Sequence, residues 1–334
     1  MMGRGGSSAH RLAPAMLFLA TVGWGVGFTW AKSAQDAANE YLHASPEAAA
    51  GPVLLLGICY TAAGLLLLAT IGRARRGWSG ASLRRALVLG ALLGGALGLQ
   101  HLGLARTSEA VSAFLTSLAV LIVPLIMRVV FRRAPPRAFW CAAILATVGV
   151  WLIGGATRAG LGLGETLGIG CAALYSVYLI AINLVVPKDD PWRMICGQFL
   201  FLGVVMLLGA WWMAGAPLTV TLEDAWALLR YRAIWREAAL LTLFSTLLPF
   251  VLMNVYQPRV SPTRAALIYL LEPLVATAYA YVAQHRALGL LELAGASLII
   301  IANALQSTAE HESSGIDDAA ACEVLAGVQR PGPV

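Results

Sequence analysis

The sequence predicts an all-α polytopic membrane protein of ten transmembrane helices in two inverted five-helix repeats, and three observations carry that expectation. Of 334 residues, 59% are hydrophobic and only 12% charged, with a mean hydropathy of +0.76, where soluble domains carry roughly 25% charged residues. The arginines gather in short clusters between apolar runs and alternate in density along the chain. A segment starting at Arg106 (Arg-Thr-Ser-Glu-Ala-Val-Ser-Ala-Phe-Leu) returns in loose form at Arg259 (Arg-Val-Ser-Pro-Thr-Arg-Ala-Ala-Leu-Ile), and each copy runs into an apolar stretch broken by a proline, Pro124 and Pro273.

A bilayer core about 30 Å thick takes roughly 20 apolar residues as helix. Windows of that length fall at 13–32, 52–72, 85–105, 109–131, 137–156, 165–186, 193–213, 237–256, 263–283 and 288–306. The first follows Arg4, His10 and Arg11 and so has the flanks of a signal peptide. It reads as an uncleaved span, because the apolar run continues through Trp24 and Trp30 to Lys32 without a small-residue cleavage site.

Loop charge then gives an orientation, since cytoplasmic loops carry excess Lys and Arg. Arg4 and Arg11, then Arg73, Arg75, Arg76, Arg84 and Arg85, then Arg128, Arg132, Arg133 and Arg137, then Lys188 with Arg193 and Arg259 with Arg264 fall on one side. The other side holds fewer: Lys32, Arg106, Arg158, Arg230, Arg232, Arg236 and Arg286. Both termini are therefore expected in the cytoplasm, with the chain in the inner (plasma) membrane. Between spans seven and eight, residues 214–236 carry Trp226, Leu228, Leu229, Tyr231 and Trp235 among charges, the pattern of a helix lying on the membrane surface.

Ten spans divide into five and five, and an odd number per repeat inserts the second copy upside down. Arg106 then falls outside and Arg259 inside. Pro124 lies sixteen residues after Ser108 and Pro273 twelve after Ser261. The difference of four is close to one helical turn, which keeps the proline on nearly the same face. The expected organisation is a cytoplasmic N-terminus (1–12), a first repeat (13–156), a second repeat (157–306) and a disordered acidic cytoplasmic tail (307–334) with Glu310, Glu312, Asp317, Asp318 and Glu323.

The net charge of +6 is spread over these loops and not on one amphipathic face, which excludes nucleic acid as a partner. Cys59, Cys141, Cys171 and Cys196 lie inside apolar runs with no metal-ligand spacing, so they read as small core residues and no metal or cofactor is expected. The Gly160-x-Gly-x-Gly164 run lacks a preceding strand and a following Gly-Lys-Ser/Thr, and reads as a tight turn.

Several motifs resemble the drug/metabolite transporter superfamily, specifically its EamA-type members with two repeats of five helices. The strongest is Ser261-Pro-Thr-Arg-Ala-Ala-Leu-Ile-Tyr-Leu-Leu-Glu-Pro-Leu, which looks like the ninth-helix signature of that family. Gly23-Trp-Gly-Val-Gly-Phe, Gly103-Leu-Ala-Arg-Thr-Ser running into Ala113-Phe-Leu-Thr, and Gly164-Glu-Thr-Leu add to it in order and spacing. The chain departs from many relatives at Gln284-His285-Arg286 and Arg132-Arg133, where they carry an acidic Gly-Glu pair, and at Cys59-Tyr60-Thr61, where they carry an arginine. The resemblance implies export of a small metabolite or drug-like solute with proton coupling.

Glu272 is the only acid well inside a span, and a charge there costs at least about 2.5 kcal/mol on insertion scales, so it faces a cavity, meets a partner or is protonated. It reads either as the coupling-ion site or as a carboxyl bonded to backbone freed by Pro273. Arg264, eight residues away, lies about 12 Å along a helix, too far for a direct pair. Trp24 and Phe28 share a helix face, with Gly23, Gly25 and Gly27 between, as either a cavity wall or a packing face; Trp30 reads as an anchor near the membrane edge. Gln100 and His101 in span three, Tyr175 and Tyr178 in span six, Gln198 in span seven, Asn254 in span eight and Tyr269 in span nine are further candidates for the solute site. Phe114 and Thr116 match Leu267 and Tyr269 in the repeat alignment. Each polar group alone also fits an interhelical hydrogen bond.

The reading is a carrier, monomer or homodimer in the lipid bilayer, that moves a small-molecule solute by alternating access, driven by protons or another gradient. Its rivals are a lipid flippase, an intramembrane lipid-modifying enzyme and a receptor; no HExxH, GxSxG or paired intramembrane aspartates favour the enzyme. From the arginine alternation, a reporter fused to the C-terminus is expected to be active only in its cytoplasmic form; periplasmic activity would refute the orientation.

Overall fold

In the computed structural model the described residues are 5–41, 45, 48–107, 109–132, 137–154, 162–214, 223, 226–227, 230, 232–284, 289–302 and 304–305, and no strand occurs among them. The helices are α1 (Gly5–Tyr41), α2 (Ala50–Thr70), the short α3 (Gly72–Arg75), α4 (Gly80–Leu104), α5 (Glu109–Ser117), α6 (Ala119–Val129), α7 (Arg137–Gly154), α8 (Leu163–Val185), α9 (Pro191–Ala214), α10 (Arg232–Leu240), α11 (Leu248–Tyr256), α12 (Pro262–Tyr269), α13 (Glu272–Gln284) and α14 (Leu290–Ala302). Seven helical stretches among the described residues are long and apolar enough to cross a membrane: Leu12–Tyr41, Ala50–Thr70, Gly80–Leu104, Val111–Val129, Leu163–Lys188, Pro191–Met213 and Ile234–Arg259. Of the other expected spans, the fifth and tenth hold the shorter apolar helices Phe139–Leu152 and Leu290–Ala302, and the ninth is divided into α12 and α13. The tail 307–334, Ser108, Arg158, Gly160, His285, Arg286 and most of the expected surface helix at 214–236 lie outside the described residues.

Local chemistry sets the helix ends. Ser79 caps α4 by accepting from the Ser82 amide at 3.1 Å. Ser261 caps α12 by accepting from the Arg264 amide at 3.2 Å, with Pro262 at the first helical position, where its missing N–H leaves nothing unpaired. The Ser-Pro-Thr-Arg run is thus a helix start. At α8 the Glu165 carboxylate accepts from the Gly162 amide at 3.0 Å. The first helix runs nine residues past the expected end at Lys32, because Lys32 does not stop it: its ammonium reaches the Leu104 carbonyl at 3.3 Å and Asp36, one turn on, at 3.4 Å.

Three interruptions mark the described helices. A turn at Leu118 separates α5 from α6, six residues before Pro124, which itself sits inside α6. Leu270–Leu271 separate α12 from α13, with the Leu271 amide bonding only three residues back, to the Ile268 carbonyl. Between α10 and α11, Leu241–Leu247 form a π-helix. Pro249 follows it and lacks the N–H that would bond Ser245, a cause that helix distortions of this kind share.

The main core joins α1, α2, α4, α8, α9, α11 and α12 around Leu17, Tyr60, Leu93, Tyr178, Phe199 and Phe250. A smaller core gathers Val120, Phe139, Ala146, Leu267, Leu270 and Ile299, placing α7 and α14 at one flank, where Gly149 comes against the Gly295 carbonyl. Outward faces carry exposed Val88, Ile144, Val204, Leu208, Trp212 and Leu290, the apolar exterior a bilayer solvates. Cys59, Cys171 and Cys196 are buried, but Cys141 is exposed: its neighbours Phe139, Ala142 and Ala143 take the inward face of α7, which turns Cys141 toward lipid.

The two Arg-x-Ser units sit at opposite ends of α8. Arg106 and Thr107 press on Gly164 at its start, and the Val260 carbonyl accepts from Asn183 Nδ2 at its far end, 2.7 Å. That far end carries an ion cluster. Asp189, its side chain 3% exposed, accepts from Arg193 (2.6 Å), Arg85 (3.1 Å) and Ser82, while Asp190 takes both the Nε and Nη2 of Arg73 at 2.9 and 2.8 Å. The cluster fastens the α3–α4 connection to the start of α9. Burial alone would raise the Asp189 pKa, but hydrogen bonds from Ser82 and Arg193 outweigh it and hold the carboxyl at about 2, against an ordinary 3.8.

Glycines set the other close contacts. A Cβ on Gly23 would meet the Phe244 carbonyl at 2.5 Å, one on Gly25 would meet Val275 at 2.7 Å and the Glu272 carbonyl at 2.9 Å, and one on Gly27 would overlap Ser245. Span one therefore lays Gly23 and Gly27 against the π-helix side and Gly25, on its other side, against α13, nearer than any side chain allows.

Two outcomes follow from these contacts. Gly25→Ala is expected to destabilise by about 1–3 kcal/mol through overpacking, whereas Gly94→Ala, whose methyl meets nothing nearer than 3.4 Å, leaves thermal unfolding in detergent near wild type; equal melting temperatures for the two would contradict the close approach. A depressed carboxyl pKa contributes stability above its unfolded value and loses it as pH falls through the folded one. Asp189→Asn should thus melt lower than wild type at pH 7, with the gap narrowing between about pH 4 and pH 2; a gap constant over that range would count against the ion cluster.

Candidate functional site

The interruptions converge on an internal cavity. Its larger lobe, about 70 Å³, lies between α1, α2, α4, the π-helix and the first residue of α13. A smaller lobe of about 40 Å³ adjoins it toward α5 and α8. Trp24, Leu97, Gln100, Phe250 and Glu272 line both. A water needs roughly 10–15 Å³ on this measure, so the two lobes hold a few waters or a very small polar group.

Aromatic rings form the walls. Trp24 meets Phe250 and Tyr269 edge-on, each at 5.2 Å between centroids, and Tyr60 stands between Phe199 at 5.2 Å and Phe250 at 6.0 Å. Phe28 lies one turn from Trp24 on the same side of α1 and lines the larger lobe. The indole N–H of Trp24 is buried without a hydrogen-bond partner. Trp30 turns elsewhere: its indole N–H donates to the Tyr279 hydroxyl at 3.1 Å, with the rings 6.1 Å apart.

Polar groups enter between the rings. Gln100 donates through Nε2 to the Thr116 hydroxyl at 3.0 Å, and Thr116 in turn donates to the Ser112 carbonyl at 3.0 Å. His101 shares a short hydrogen bond through Nδ1 with Gln35, a residue 1% exposed. Ser245 and Thr246 enter from the π-helix. Among the described residues Glu272 has no hydrogen-bond or ion-pair partner, so the carboxyl contact to backbone freed by Pro273, one of its two sequence readings, does not form there. It occupies the first turn of α13, where unpaired amides favour a negative charge. Among the described residues no Lys or Arg lines either lobe.

Of the sequence-predicted residues, Trp24, Phe28, Gln100, His101, Thr116, Tyr175 and Glu272 line the cavity. The others lie beside it. The Tyr178 hydroxyl donates to Gln198 Oε1 (3.0 Å), Gln198 Nε2 to Asn254 Oδ1 (3.1 Å), and Asn254 Nδ2 to the Phe250 carbonyl (2.9 Å). These three fully buried side chains form a closed polar cluster joining α8, α9 and α11. The Tyr269 hydroxyl donates to Gln257 Oε1 at 3.0 Å, and Gln257 Nε2 donates to the Leu179 carbonyl and Asn183 Oδ1 at 2.7 Å each. Tyr269 still reaches the site through its ring against Trp24. Phe114 packs on the smaller core.

The sequence reading missed Tyr60, Phe250, Ser245, Thr246 and Gln35. A tyrosine in the middle of span two and a Ser-Thr pair four residues before Pro249 are the signals that mark three of them. Phe250 has no signal of its own among so many apolar residues.

Residues 162–308 match the EamA-like transporter family. No curated protein matches the chain. A solved structure titled only "Crystal structure of protein" aligns with a TM-score of 0.66 over 90% of this chain and 98% of that one, at 18% identity; at that identity the likeness concerns the fold. The matched residues start at the Gly162–Glu165 helix cap and include the Ser261 cap and Glu272. The chain is therefore a multi-pass membrane protein whose residues 162–308 are similar to the EamA-like transporter family.

Proposed function

We propose that the protein carries a small solute across the inner membrane by alternating access, exporting it, with Glu272 as the group that couples movement to protons. The observation that carries this reading is the unpartnered Glu272 carboxylate in a cavity walled from both halves: Trp24, Tyr60 and His101 from the first, Tyr175, Ser245 and Phe250 from the second. Carriers built from inverted repeats place their site at such a seam, beside interrupted helices.

Ten spans in two inverted repeats fit the packing. The two Arg-x-Ser units touch opposite ends of α8, and each is followed by a break in its helix, at Leu118 and at Leu270–Leu271. Exchanging corresponding spans between repeats maps the contact of α4 with α8 onto that of α11 with α1, and both pairs pack closely. With both termini cytoplasmic, the ion cluster at Asp189 closes the cytoplasmic face and the Lys32 end of α1 faces outward.

A lipid flippase remains the second reading, favoured by the apolar cavity wall. Scrambling of fluorescent lipid in liposomes, set against flux of water-soluble solutes, separates the two; conversion of the solute to a new mass would favour an enzyme. In inverted vesicles, Glu272→Gln is expected to abolish gradient-driven uptake while the protein stays monodisperse and folded. Normal uptake in that variant would sink the coupling role, and loss of the folded protein would make the carboxyl structural.

A further inference from the structure

We propose that the cavity selects a small organic monocation, an alkylammonium with an apolar body, over zwitterions and anions; the inference rests on the transport reading of the same site. The charge inventory of the lining points this way. Among the described residues Glu272 is the only acid lining either lobe, and no Lys or Arg lines them. Lys32, at the outer end of the bundle, is engaged with Asp36 and the Leu104 carbonyl. An anion would bring a second negative charge beside ionised Glu272, with only the His101 imidazole, already bonded to Gln35, near it, and a zwitterion would leave its carboxylate equally unmatched. Buried charges persist only when paired.

The walls complement a cation in a second way. Trp24, Phe28, Tyr60 and Phe250 surround the approach to Glu272, and ring faces attract an ammonium group most strongly when water is excluded. Gln100 is held by Thr116 with its amide nitrogen engaged, which leaves its carbonyl oxygen as the free end and adds an acceptor suited to ammonium protons. The lobes are small, about 70 and 40 Å³, so the body is a few carbons before the cavity must widen.

Isobutylammonium, valine and isovalerate share one isobutyl skeleton, which carries an ammonium in the first, an ammonium and a carboxylate in the second and a carboxylate in the third, and this makes them the probes. With purified full-length protein, isobutylammonium is expected to raise the melting temperature saturably and to bind at least tenfold tighter than valine, with isovalerate giving no shift. Glu272→Gln should lose the isobutylammonium response, and Glu272→Asp, which keeps the charge, should retain a weakened one. Either variant suffices if the other does not fold. Valine or isovalerate binding as tightly as the amine, an undiminished response in Glu272→Gln, or no response to any probe would overturn the inference. Proteoliposome flux keeps the two readings apart. Flux of anions or zwitterions without flux of the amine overturns the cation selectivity and leaves transport standing, whereas binding of the amine with no flux of any solute does the reverse.

Discussion

In hydrocarbon every backbone N–H and C=O must find its partner inside the protein, since no water is present to replace one. That constraint explains both the regularity of this chain and the places where it breaks. Helices satisfy themselves and can face lipid, as α2, α4, α8 and α9 do. Interruptions are tolerated only where they are covered or face a cavity. Here each of the three contributes to the lining: Thr116 just before the break at Leu118, Ser245 and Thr246 within the π-helix, and Glu272 just after Leu271. The cavity exists where the helices are irregular, and the irregularities survive because the cavity and its neighbours shield them.

The glycines on two sides of α1 link that site to the rest of the bundle. Gly23, Gly25 and Gly27 bring the α1 backbone against the π-helix and the start of α13, the two elements that hold Ser245 and Glu272. Trp24 and Phe28 stand on the same few turns and face the cavity. A shift of α1 therefore moves the aromatic wall and presses on the carboxylate-bearing helix together. At the far end of the bundle, two contacts from Arg73 to Asp190 and one from Arg85 to Asp189 tie the first half to the second, while Arg193 holds Asp189 from within the second.

Hydropathy made the apolar helices legible, because twenty apolar residues admit few other structures. Glu272 stood out for the same reason: a lone acid in such a run must face a cavity, meet a partner or be protonated. What hydropathy cannot show is facing. Tyr178, Gln198 and Asn254 looked like cavity residues, yet all three satisfy one another in a closed cluster, because in an apolar environment a polar side chain bonds to whichever polar neighbour packing brings near. Cys141 looked like core and faces outward, since a helix apolar on all sides carries no periodicity to orient it. The proline at 124 suggested the position of a break that occurs six residues earlier, at Leu118. Proline removes one hydrogen bond, but neighbouring helices decide where the chain bends. The π-helix at Leu241–Leu247 left no trace beyond Pro249.

A π-helical stretch holds more residues per turn than the α-helix around it, and in that sense acts as an insertion absorbed without a loop. Its presence between Leu240 and Leu248 sets the phase of everything after it. Rewinding 241–247 as α-helix at about 100° per residue, with no residue removed, would turn α11 relative to α10. Phe250 would leave the aromatic wall and Asn254 would leave its cluster, although neither residue had changed. The winding of this segment is under tighter restraint than the identity of its outward residues, so Leu243 and Phe244, both exposed, can be exchanged far more readily than the wide turn that carries them can be lost.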